Sequence, residues 1–147
     1  MPVAALIAWL ITAAGGFVLL VTWLSGGGAR GRAEGTSRLP VPVIFGHFGL
    51  AAIGLIVWIV FVVGKSSAVA WTGFVILLPV ALLGFVMLVR WIPSYRARAA
   101  AVPAAAGPGT PGAATAEQRF PVPVVLLHGL LAVVTLILVL VAAIGAH

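Results

Sequence analysis

Leu39-Pro40-Val41-Pro42-Val43-Ile44-Phe45-Gly46-His47 and Phe120-Pro121-Val122-Pro123-Val124-Val125-Leu126-Leu127-His128 open two long apolar runs, and Pro, Val, Pro, Val and His recur in one register. The match continues through Leu50/Leu131, Ala51/Ala132 and Gly64/Gly145. Each run is long enough to cross a hydrocarbon core of about 30 Å, which takes about 20 helical residues. A histidine therefore falls at the same depth of two related apolar helices, where a bare polar ring is costly unless something binds it.

Two more stretches have the same character, so the chain is expected to cross a membrane four times, at about Val3 to Leu24, Val41 to Val63, Ala68 to Ile92 and Val122 to Gly145. The first lacks a basic leader and a small-residue cleavage site and reads as a retained span. With 63% apolar and 7% charged residues, the chain has too little polar surface to cover a water-soluble domain. The absence of cysteine excludes disulfides, thiolate-bound zinc, iron–sulfur clusters and covalently attached haem. The net charge of +6 does not indicate nucleic acid, because the arginines flank apolar spans and line no amphipathic face. Membrane lipid is the expected partner.

The repeat also takes in the first and third spans. Gly16-Phe17-Val18-Leu19-Leu20-Val21-Thr22-Trp23-Leu24 matches Gly84-Phe85-Val86-Met87-Leu88-Val89-Arg90-Trp91-Ile92. The expected fold is all-α, a four-transmembrane-helix bundle made of two tandem helical hairpins, residues 1–67 and 68–147, in one membrane domain. A repeat unit of two helices enters the membrane in the same sense each time, which relates the copies by an axis along the membrane normal.

Positive residues mark the cytoplasmic side. Arg30, Arg32 and Arg38 follow the first span, and Arg90, Arg96, Arg98 and Arg119 lie at the end of the third or before the fourth, leaving Lys65 alone on the other side. The expected location is the plasma (inner) membrane, with both termini extracytoplasmic; usage rich in Ala, Gly, Val and Arg hints at a GC-rich bacterium. Ser25-Gly26-Gly27-Gly28 and the stretch from Ala104 to Gly112 read as mobile linkers.

His47 and His128 each lie two turns inside a Pro-marked helix start, about 10 Å at the α-helical rise. Gly16 and Gly84 lie as far before Trp23 and Trp91, so if those tryptophans mark the interface, the histidines and glycines share a layer. Two facing nitrogens and two notches suit a flat metal macrocycle. Histidines on the second and fourth helices, with glycines on the first and third, resemble the haem core of cytochrome b and the cytochrome b561 group. The resemblance covers the four spans and no linker. It implies one noncovalent haem b, with His47 and His128 as axial ligands and Gly16 and Gly84 giving the porphyrin room. It also implies electron exchange with quinone or a redox partner subunit, the chain serving as an electron-transfer subunit of an oxidoreductase, with homo-oligomers also open. Those families usually hold two haems, and Val60, Phe61, Val141 and Ala142 stand where the second ligand pair would be.

Other readings stay open. The histidines could be interhelical glue in a haem-free accessory or transport subunit, or part of a proton pathway, although Glu34 and Glu117 lie in loops. Arg90 could pair with a haem propionate or snorkel to the interface. Trp9, Trp58 and Trp71 are expected at different depths, and His147 in solvent. No nucleotide loop, nucleophile–base pair or paired carboxylates occur.

Overall fold

The computed structural model describes residues 1–31, 37–101 and 115–146. Helix α1 (Pro2–Ser25) leads into one helical turn, α2 (Gly28–Gly31). Helices α3 (Val41–Gly64) and α4 (Ser67–Ala101) follow, then a 3-10 turn (Ala116–Arg119) and α5 (Val122–Ile144). Among the described residues there is no strand. Helices α1, α3, α4 and α5 are each long and apolar enough to cross a membrane. Their outer faces suit hydrocarbon: Val63 is 81% exposed, Leu82 68% and Leu130 63%, an apolar surface that water does not tolerate.

The Pro-Val-Pro starts have a clear local logic. Pro40 and Pro121 are extended N-cap residues, and Pro42 and Pro123 lie in the first turn, where a missing N–H leaves no bond unmade. Both Val43 and Ile44 donate to the Pro40 carbonyl, as Val124 and Val125 do to that of Pro121. Identical starts give His47 and His128 the same helical phase. At the other end, Lys65 adopts the left-handed conformation (φ 55°) and its N–H closes α3 on the Phe61 carbonyl, which turns the chain sharply into α4.

Helix α4 runs well past the expected end at Ile92, because Ala97 and Ala99–Ala101 with Arg96 and Arg98 are strong helix formers. The closest partnerships are α3 with α4 and α1 with α5; the two pairs meet more sparingly through α4–α5 and α1–α3. The buried apolar residues fall into two separate clusters. One, around Trp9, Trp58, Phe61 and Val139, fills the half nearest the termini. The other, around Trp23, Trp91, Ile44 and Phe120, closes the end that carries the long loops.

Three loop and tryptophan expectations need correction. Trp23 and Trp91 face into the protein and not outward: they are 1% and 7% exposed, and their indole N–H groups donate to Ser37 Oγ and the Glu117 carbonyl. Trp9 and Trp58 share a depth, with ring centres 6.4 Å apart. The glycine tract after α1 is folded, not free. A Cβ at Gly28 would collide with the Trp23 indole, and one at Gly26 would press on Ala116 at 3.2 Å. The expected linker from Ala104 to Gly112, together with Glu34, Arg32 and His147, lies outside the described residues.

Candidate functional site

Between the two apolar clusters lies a layer whose side chains are mostly polar or absent. His47 projects from α3 and donates through Nδ1 to the Val80 carbonyl oxygen of α4 at 2.9 Å. His128 makes the matching contact from α5, its Nδ1 2.9 Å from the Thr12 carbonyl oxygen of α1. A carbonyl only accepts, so in both rings Nδ1 carries the hydrogen and Nε2 keeps its lone pair.

The glycines explain why those carbonyls can be reached. A helical side chain leans over the turn N-terminal to it, and so covers the carbonyl one turn back. Val80 and Thr12 stand one turn before Gly84 and Gly16, where no side chain intervenes. The imidazoles fill the notches: a Cβ at Gly84 would lie 3.1 Å from His47 Cε1, and one at Gly16 2.9 Å from His128 Cε1. Gly15 is a looser neighbour, its Cβ position 3.6 Å from His128 Cβ. Each glycine notch thus receives an imidazole ring.

The two rings are close neighbours in an edge-on arrangement, with centres 6.3 Å apart and planes inclined at 68°. The donor set fits axial ligation, in which a coordinating histidine characteristically gives its other N–H to a backbone carbonyl. A protein-only metal centre lacks support: among the described residues no three His, Cys, Asp or Glu side chains come together.

His47, His128, Gly16 and Gly84 therefore meet in one layer. Arg90 does not join them: it is exposed and, six residues past Gly84, lies about 120° around α4 from it. The region where a second ligand pair would stand is packed with Trp9, Trp58, Phe61 and Ala142.

Two polar features escaped the sequence reading. Thr12 Oγ1 donates to the Ala8 carbonyl and lies 3.1 Å from Thr135 Oγ1, a hydroxyl pair next to His128 on α1 and α5. In the other half, Val80 and Gly54 are the corresponding residues, and Trp9 fills the space over Gly54. Glu117 is 0% exposed although its surroundings are loop. Its Oε1 accepts the Arg38 backbone N–H, while Oε2, like Ser94 Oγ, has no hydrogen-bond partner among the described residues. Nothing in the Gly, Ala and Pro-rich stretch before it signals burial.

Comparison with protein-family profiles, curated proteins and solved structures finds no match for this chain. What the fold and site define is a class: an all-helical protein with four helices long and apolar enough to span a membrane, and a paired-histidine layer inside the bundle.

Proposed function

We propose that the chain is a small membrane b-type cytochrome or redox subunit, in which His47 and His128 bind one haem b noncovalently between the α3–α4 and α1–α5 pairs. The observation that carries the reading is the twin Nδ1–carbonyl contact, which leaves Nε2 available as a ligand on each of two neighbouring rings. When bound, the haem supplies one-electron chemistry. The chain's own residues hold the ligands: Val80 and Thr12 fix each tautomer, while Gly84 and Gly16 seat each ring. The tryptophan cap over Trp23 and Trp91 keeps water out from the loop end.

The correspondence of His47–Val80–Gly84 with His128–Thr12–Gly16 also supports the duplicated-hairpin reading, with units 1–67 and 68–147. In the orientation we propose, the arginine-rich loops are cytoplasmic, the termini extracytoplasmic and the membrane the bacterial plasma membrane. Dense packing of the far half favours electron exchange at the loop end, with quinone or a partner subunit.

The test is an optical spectrum of the purified protein, oxidised and then reduced. Low-spin haem bands are expected, and His47→Ala and His128→Ala should each convert or abolish them, because losing one nitrogen leaves iron five-coordinate or releases it. Bands unchanged in both variants would eliminate bis-histidine ligation.

One observation favours a second reading. Each histidine already satisfies itself on a neighbouring helix, which is all that interhelical glue requires. A haem-free accessory subunit would then be colourless, and each His→Ala change would cost only about 0.6–1.7 kcal/mol.

A further inference from the structure

At the loop end, a cleft of about 550 Å³ opens between the last turns of α4 and the start of α5, lined by Tyr95, Arg98, Arg119, Phe120, Val122 and neighbouring residues. We propose that this cleft binds the phosphate of an anionic phospholipid. The proposal is independent of whether haem is bound.

The cleft combines two kinds of wall at the depth where a lipid headgroup meets its acyl chains. Phe120, Pro121, Val122 and Pro123 form the apolar wall, where the span of α5 begins. Arg98 and Arg119 form the cationic wall, both exposed. Arg98 is already positioned, since its Nη1 donates to the Gln118 carbonyl at 2.6 Å. A guanidinium has five N–H donors in a planar fork, so the rest can address phosphate oxygens. Tyr95 is held as well: its ring stacks on Trp91 at 5.2 Å, and the Trp91 N–H is fixed on the Glu117 carbonyl.

Charge selects the lipid. The nearby carboxylate, Glu117, is turned into the protein and accepts from Arg38, so it does not neutralise the cleft. A phosphodiester with a cationic headgroup would bring its own positive charge towards two arginines. One without it, as in phosphatidylglycerol, would not.

The full chain is reconstituted into nanodiscs of equal phosphatidylglycerol and phosphatidylcholine, and retained lipids are counted by native mass spectrometry. Retention of phosphatidylglycerol is expected, weakened roughly fivefold for each arginine removed in Arg98→Gln and Arg119→Gln, and unchanged in Arg30→Gln on the other loop. Equal retention in the double variant and the wild type would overturn the proposal. So would displacement of the lipid by millimolar inorganic phosphate, which would make this a free-anion site. Because a variant could fail to fold, the wild type is also labelled with a photoreactive phosphatidylglycerol analogue. Crosslinks are expected within residues 95–99 and 119–123, and crosslinks confined elsewhere would sink the assignment.

Discussion

A histidine ring seated on a glycine lies where any added side chain would press on it, and that makes the glycines sensitive probes of the site. A Cβ at Gly16 would stand 2.9 Å from His128 Cε1, closer than real contacts allow, whereas at Gly84 the distance to His47 is 3.1 Å. Gly16→Ala should therefore disturb the layer more than Gly84→Ala, and Leu at either position should expel the imidazole and any cofactor it holds. At Gly129 a Cβ would meet nothing within 4 Å, so Gly129→Ala should be neutral or gain up to about 1 kcal/mol of helix propensity. Haem occupancy and folded yield, measured on the five variants together, check this order. Glu117 offers a second residue-scale test. Glu117→Gln keeps an oxygen for the Arg38 N–H and puts a donor where Oε2 has no partner among the described residues, so thermal stability should hold or rise. Glu117→Ala strands a buried N–H and should cost about 1–3 kcal/mol. The histidines and glycines were legible from the sequence because they occur twice in matching stretches of one register. Their hydrogen-bond partners were not, because a backbone carbonyl at Val80 or Thr12 has no side-chain signature. The burial of Glu117 was not legible for the opposite reason: it lies between the spans, as the sequence indicates, but its neighbours in sequence are those of a solvated linker.

Helix starts set the phase of everything that follows them. Pro40 and Pro121 anchor identical first turns, so one extra residue between Val124 and Val125 would swing His128 by about 100° about α5. We expect that insertion to abolish the His128–Thr12 contact and any low-spin spectrum while leaving the helix content by circular dichroism intact. A spectrum that survives would show that His128 is not a ligand. The four spans themselves were readable to within a few residues, since apolar length alone decides them. The far end of α4 was not, because the reading stopped at the hydrocarbon boundary, whereas Ala and Arg carry the helix on to Ala101. The turn after α1 was lost for a related reason: Gly26 and Gly28 resemble a flexible tract, yet their lack of side chains is what lets Ala116 and the Trp23 indole approach.

For the whole molecule, orientation is the accessible test. A reporter fused after residue 146 should report the extracytoplasmic side, and one inserted near position 109 the cytoplasm; the same side from both would refute a four-span topology. Composition revealed the solvent, and the repeat pointed to two equivalent hairpins. The tightest partnerships, however, link the halves: α3 rests on α4 and α1 on α5, and each histidine docks on a glycine helix of the other unit.

That pairing carries a consequence for how the protein is made. Helix α1 leaves the ribosome first and its main partner α5 last, with α3 and α4 emerging between them and already matched to each other. During synthesis the first helix must wait in lipid, with the notch at Gly16 open and the Thr12 hydroxyl bonded back to Ala8, which lets it rest in hydrocarbon without a neighbour. The histidine pair can form only when α5 joins α3, so the completed layer is a record that all four long helices have come together.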